Sequence, residues 1–278
     1  MREVGKVEEQ EGEEMAGQDT VLWIIGGTGE AVQLATALAL EGVPCLVTVT
    51  TASARRAYPE GAYLDVWVGR LEVKELGSFV QARGVRGIVD ASHPFAVEIS
   101  KGAIAAAQTL NIPYWRYERP TLDHPAAHDL IDYVPGLEAI LTPEVLSGER
   151  VLLTLGYRWL HHFAPWQTQA TLFARILPSA VALHAAIQAG FTTDRLIALR
   201  PPIGADLENA LWQQWRITRV ITKASGTPGG EDTKRAVAKQ LGIPLSILNR
   251  PQLDYPELCH SQEEIVSLCQ AWWLSQPN

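Results

Sequence analysis

The chain reads as an α/β protein with two Rossmann-like, doubly wound parallel-sheet domains and a cleft between them. Three observations predict this. From residue 20 onward, short apolar strands alternate with helical patterns, as in a parallel sheet with crossover helices. The first strand runs directly into Gly26-Gly27-Thr28-Gly29, a glycine turn that opens a helix. A second alternation starts near residue 151, after a proline-bearing stretch. Two similar folds placed face to face would put a ligand cleft between the carboxyl ends of their sheets.

The elements run in order along the chain. Residues 21–25 are the first strand, and residues 30–41 are a helix with Ala31, Leu34, Ala35 and Leu38 at helical spacing, closed by Gly42. Residues 44–50 are a β-branched second strand and 65–68 a short third. Residues 73–83 form a helix with Leu76, Phe79 and Val80 on one side, stopped by Gly84. The strand 86–91, the alanine-rich helix 96–110 and the strand 112–115 complete the first unit. In the second, strands are expected at 151–155, 170–175, 196–199, 219–222 and 244–248, with helices at 180–189, 206–215, 231–241 and 262–274. The expected boundaries are an acidic tail at 1–19, an N-terminal domain at 20–118, a linker at 119–135 containing Pro120, Pro125 and Pro135, and a C-terminal domain at 136–278.

Composition narrows the function. A chain of 278 residues with 47% hydrophobic content is ample for real cores. The first nineteen residues carry Glu3, Glu8, Glu9, Glu11, Glu13 and Glu14 and almost no large apolar side chain, so they read as a disordered, solvated tail. They lack the basic start and apolar run of a signal peptide, and no later window is apolar for long enough to span a membrane. Cys45, Cys259 and Cys269 show neither a CxxC pair nor metal-ligand spacing, which points to a reducing cytoplasm and no metal site. The net charge of −8, about half of it in the tail, argues against nucleic acid as a partner.

The chemistry gathers at strand ends. Asp90, Ser92 and His93 bring three hydrogen-bonding side chains to the carboxyl end of a buried strand, followed by Pro94 and Phe95 as the next helix begins. The glycines of Gly26-Gly27-Thr28-Gly29 either let the backbone approach a pyrophosphate at a helix amino terminus or simply make a tight turn. After the second strand come Thr50, Thr51, Ser53, Arg55 and Arg56 with no acid among them, which suits the 2'-phosphate of NADPH; the alternative is ordinary solvated charges. His93 is open to three roles: general acid, a ring packed on a nicotinamide, or a turn residue. The last two together weigh more. Lys223, Ser225 and Gly226, followed by a glycine-rich loop, form a second anion-seeking strand end, and Gly156 and Arg158 belong to the same rim.

Over residues 20–252 the chain resembles the precorrin-6A reductase family, including its cobalt-precorrin-6A reductases. The resemblance rests on the glycine loop from Gly26 to Ala31, the run Asp90 to Ala96 with Ser92 in place of a threonine, Arg116-Tyr117-Glu118-Arg119-Pro120, Lys223 to Gly226, Ile243-Pro244 and Arg250-Pro251. It implies two Rossmann-like domains with NADPH in the cleft, and hydride addition to one double bond of a corrin precursor in cobalamin synthesis. It also implies a tetrapyrrole-derived substrate with several carboxylates, contacted by Arg119, Gly156, Lys223, Ser225 and Gly226. Two other readings compete with it. A short-chain dehydrogenase needs Tyr-x-x-x-Lys, and none of the seven tyrosines has a lysine four residues on. A non-enzymatic NADP-binding sensor or regulatory protein would bind cofactor without turning it over.

Overall fold

The structure, a computed structural model, describes residues 21–122 and 130–276. The expected acidic tail and Pro125 of the expected linker lie outside the described residues. The chain divides into two compact units, one made of the residues up to Arg119 together with those from Gln252 onward, the other of Pro120–Pro251.

The first unit contains β1 (Val21–Ile25), α1 (Gly29–Leu40), β2 (Cys45–Val49), α2 (Ala52–Arg55), β3 (Leu64–Val68), α3 (Leu76–Ala82), β4 (Val85–Asp90), α4 (Val97–Leu110) and β5 (Tyr114–Tyr117). Every residue of β1 and β2 is buried, as a parallel sheet covered on both faces requires. Alternate side chains therefore feed separate cores. Leu22 and Ile24 pack with Leu34 and Leu38 of α1, whereas Trp23 and Ile25 pack with Leu76, Val80 and Ala103 on the α3 and α4 side. Trp23 is fully buried, and its indole N–H donates to Thr48 Oγ1 at 3.0 Å.

The second unit contains β6 (Ile131–Val134), α5 (Pro143–Leu146), β7 (Arg150–Leu153), a 3-10 segment (Tyr157–Trp166), β8 (Thr171–Ile176), α6 (Ala180–Gln188), β9 (Leu196–Ala198), α7 (Ala205–Gln214), β10 (Arg219–Lys223), α8 (Glu231–Leu241) and β11 (Leu245–Leu248). The chain then returns to the first unit through β12 (Leu258–Cys259) and α9 (Gln262–Leu274).

Each sheet has six strands, all paired in parallel. The orders are β3-β2-β1-β4-β5-β12 and β9-β8-β7-β10-β11-β6. The first is the 3-2-1-4-5-6 order of dinucleotide-binding sheets, and the second has the same pattern counted from β7. In the first unit the sixth strand arrives from the far end of the chain; in the second it comes before the other five.

Two expected boundaries are corrected by this topology. Residues 252–278 do not close the C-terminal domain. β12 pairs with β5, and α9 buries Ile265 and Cys269 in the same core as Leu34 and Leu38 of the first unit. The expected linker also contains β6, because Ile131 and Val134 are buried where the strand covers the open edge of β11. The helix expected at 73–83 begins instead with a 3-10 turn at Val73–Glu75. Cys45, Cys259 and Cys269 are buried as free thiols in the first core, and burial pushes Cys269 up to about 12 and Cys259 up to about 11, so they are packing groups. Among the described residues no helix is long and apolar enough to cross a membrane.

Ile265→Ala should therefore destabilise the first unit by about 2–5 kcal/mol. Hydrogen exchange should speed up in β1 and β5 and stay unchanged in β10 and β11; the reverse pattern would return α9 to the second unit.

Candidate active site

In the first sheet the strand order reverses between β1 and β4, where open α/β sheets bind ligands. Ile25 stands in register with Asp90, so the 26–29 loop and the 91–96 loop leave the sheet side by side.

Gly26 has no room for a side chain. A Cβ there would lie 2.5 Å from Tyr58 Oη, 2.8 Å from Val47 Cγ1 and 3.0 Å from the Thr48 carbonyl oxygen. Gly27 has φ of 101°, a conformation that favours glycine. At Gly27 and Gly29 a Cβ would meet nothing within 4 Å, so the missing side chains leave the front of the loop open to a ligand. Thr28 caps α1 by accepting the Ala31 N–H at 3.1 Å and donates its hydroxyl to the Ala91 carbonyl at 2.8 Å, tying the two loops together. The amides of Gly29 and Glu30, first in α1, have no acceptor within the helix. This is the geometry that attracts phosphate.

Behind the loops is a buried polar cluster. Asp90 and Arg116 are fully buried and paired at 2.8 Å. The Asp90 carboxylate also accepts from Ser100 Oγ and Tyr114 Oη, both at 2.6 Å, and from the Ser92 N–H at 3.0 Å. Burial alone would raise its pKa; the Arg116 guanidinium and these hydrogen bonds outweigh it and hold the carboxyl below its ordinary value. Arg116 donates in addition to Ser92 Oγ at 3.3 Å, so the cluster fixes the start of the 91–96 loop. Tyr255, from the returning chain, lies with its ring centroid 5.3 Å from the guanidinium carbon.

His93 closes that loop. Its Nδ1 accepts the Phe95 N–H at 3.2 Å, and its carbonyl accepts the Ala96 N–H at 2.7 Å. In the neutral ring this leaves the proton on Nε2. The His93 and Phe95 rings lie 5.8 Å apart. Thr51 caps α2 and accepts the Ala54 N–H at 3.2 Å, with Ser53 Oγ also 3.2 Å from Thr51 Oγ1. Thr51 and Ser53 are exposed and Arg55 partly so, at the end of the strand next to β1. Arg119 lies in the first unit. Its Nε is 2.9 Å from Glu30 Oε1, and Nη2 donates to Oε2 at 3.2 Å. Thr28, Glu30, Ser92, Pro94, Arg116 and Arg119 line one small recess between the two loops.

Gly156, Lys223, Ser225 and Gly226 gather at the corresponding reversal of the second sheet, between β7 and β10. Burial, and then the neighbouring Arg158, push the Lys223 ammonium down to about 8. Two residues absent from the sequence expectation support this rim from below. Glu231 accepts the Gly226 N–H at 2.8 Å and the Tyr133 hydroxyl at 3.1 Å, and Lys234 donates to the carbonyls of Gly229 and Gly230 at 2.7 and 2.9 Å. Glu30, Tyr58, Ser100 and Tyr114 also escape a reading of the sequence, because their partners are distant along the chain; only the Glu30 position, opening a capped helix, carries a local signal.

Fold and switch point define a two-unit, doubly wound α/β protein with polar groups at the carboxyl ends of both sheets. The family model described as precorrin-6x reductase CbiJ/CobK matches residues 21–270. A cobalt-precorrin-6A reductase of Synechocystis sp. is 46% identical over 252 residues, covering 90% of this chain and 95% of its own. One from Priestia megaterium is 32% identical, covering 88% and 96%. The solved structure titled CobK precorrin-6A reductase superposes with a TM-score of 0.71 at 26% identity, covering 93% of this chain and 99% of that one. The chain belongs to the precorrin-6x reductase family and is an oxidoreductase of that type, in cobalamin biosynthesis.

Asp90→Asn should cost about 3 kcal/mol, since it removes the nearer of the two carboxylates that face Arg116 and leaves only Glu118, whose Oε2 is 3.5 Å from Nε. The carboxyl titrates lower in the folded chain than in the unfolded one. Its contribution is thus complete above about pH 3.9 and is lost as pH falls through the folded value. Denaturation between pH 7 and 2.5 checks both points: the variant should be weaker at neutral pH and lack that part of the acid loss.

Proposed function

We propose that this chain reduces precorrin-6A, or its cobalt form, to the dihydro product with NADPH in the cytoplasm. The observation that carries the reading is the open glycine loop at the amino terminus of α1, at the switch point of the first sheet of a chain belonging to this reductase family. The cofactor supplies a hydride; the protein binds, orients and excludes water.

Gly26, Gly27, Thr28 and Gly29 form the pyrophosphate cradle. Thr51, Ser53 and Arg55 take the 2'-phosphate, since the end of β2 offers hydroxyls and a guanidinium where an NAD site carries an acid. Ser92, His93, Pro94 and Phe95 border the nicotinamide end. His93, whose Nδ1 holds the Phe95 amide, shapes that wall. On the substrate side, Gly156, Lys223, Ser225 and Gly226 receive carboxylates of the tetrapyrrole-derived precursor, with Lys223 supplying the charge.

The direct test incubates the protein with NADPH and each precursor form while macrocycle absorption and nicotinamide oxidation are followed together. Matched changes are expected. Cofactor binding without turnover would make the chain a sensor instead. NADPH should bind about one to two orders of magnitude more tightly than NADH, from about 1.5–3 kcal/mol of charge-assisted contact, and Arg55→Ala should erase most of the difference. Equal affinities in the parent protein would remove the 2'-phosphate assignment.

Lys223 gives a pH signature. Its charge is present below about pH 8 and lost above it, so kcat/KM should fall as pH rises through that region. Lys223→Arg should carry the plateau to higher pH; an unchanged profile would take Lys223 out of the site.

A further inference from the structure

The Glu30–Arg119 pair has an unusual position for a buried ion pair. Glu30 is the second residue of α1, next to the open glycine loop, and its partner comes from just beyond β5, 89 positions along the chain. Both residues are about nine-tenths buried. Arg119 shares its recess with Thr28 and Ser92, one from each loop at the switch point. A carboxylate in the first turn of this helix occupies the positive end where a phosphate would sit, and it repels any anion brought to the adjacent amides. The guanidinium holding it is the side chain best suited to grip a phosphate with two parallel hydrogen bonds.

We propose that Arg119 is a phosphate ligand of the cofactor held in reserve by Glu30, and that cofactor binding exchanges the carboxylate for a phosphate oxygen on the guanidinium. The proposal rests on the reading of the glycine loop as the cofactor cradle and moves Arg119 to it from the substrate contacts that the family resemblance implies, because its partner Glu30 belongs to the helix that the loop opens. In the cofactor-free protein Glu30 keeps the guanidinium oriented and its charge compensated. On binding, an incoming phosphate must compete with an intramolecular acid, so Glu30 lowers affinity for any anion at the loop. No bond is made or broken; one ion pair replaces another.

The experiment is a fluorescence titration of NADPH into the parent protein, Glu30→Gln, Arg119→Gln and the double variant, with melting curves to establish folding and inorganic pyrophosphate as a competing probe. Glu30→Gln should bind NADPH and pyrophosphate about three- to tenfold more tightly, although it loses an ion pair. Arg119→Gln should bind about ten- to a hundredfold more weakly. The double variant should bind more tightly than Arg119→Gln, because the repelling acid is gone, and more weakly than Glu30→Gln, because the guanidinium is missing. Weaker or unchanged binding in Glu30→Gln would overturn the proposal and leave the pair a purely structural tie; that arm decides alone if Arg119→Gln fails to fold. A parent protein that binds neither NADPH nor pyrophosphate would instead remove the cofactor reading itself.

Discussion

The Asp90–Arg116 pair is the interaction on which the first unit's site depends. The carboxylate ends β4, the guanidinium belongs to β5, and neither reaches water. Such a pair is stable only when its remaining hydrogen-bonding capacity is met. Here Ser100 and Tyr114 fill the carboxylate, Ser92 receives one guanidinium N–H and Tyr255 covers the guanidinium face, while Nε makes no hydrogen bond and is compensated by the Glu118 carboxylate 3.5 Å away. The same residue carries the sixth strand, because the Arg116 N–H donates to the Glu257 carbonyl at 2.8 Å. Arg116 thus ties the 91–96 loop through its side chain and the edge of the sheet, where the chain returns, through its backbone.

The two units share a strand order but diverge just after their first central strands. Beyond β1 lie an open glycine loop and a regular twelve-residue helix, α1. Beyond β7 lies a 3-10 segment that contains Pro165, so the aligned peptide dipoles of a long α-helix are missing there. At the other loop of the second switch point, the Glu231 carboxylate already takes the Gly226 amide. These differences support assigning the dinucleotide to the first unit and substrate carboxylates, through Lys223, to the second.

Much of this was legible in the sequence. β1, α8 and α9 run as expected because uninterrupted apolar or periodic stretches end at glycine, proline or a capping serine; Ser261, for example, accepts the Glu264 N–H at 3.3 Å. The glycine loop and the 90–96 run were visible as local punctuation. β12 was not, because two residues carry no periodicity and form a strand only where β5 leaves an edge open. β6 was hidden among prolines for the same reason, and with both edge strands unseen the domain boundary fell in the wrong place. At the candidate site, Thr28 and His93 make hydrogen bonds within their own turns, which is the kind of contact local sequence can signal. Arg119 acts through Glu30, 89 positions away, and Glu231 is also held by Tyr133, 98 positions away, partners that only the fold brings near; Lys234 and Glu231 otherwise reach back just four or five residues, to a glycine loop whose conformation the sequence does not give.

The most direct measurement is hydrogen–deuterium exchange of the full chain with and without NADPH. Slower exchange confined to residues 26–31, 51–55 and 91–96, with 154–166 and 224–230 unchanged, is the result expected if the first switch point alone holds the cofactor. Protection appearing in the second unit and sparing the glycine loop would contradict it.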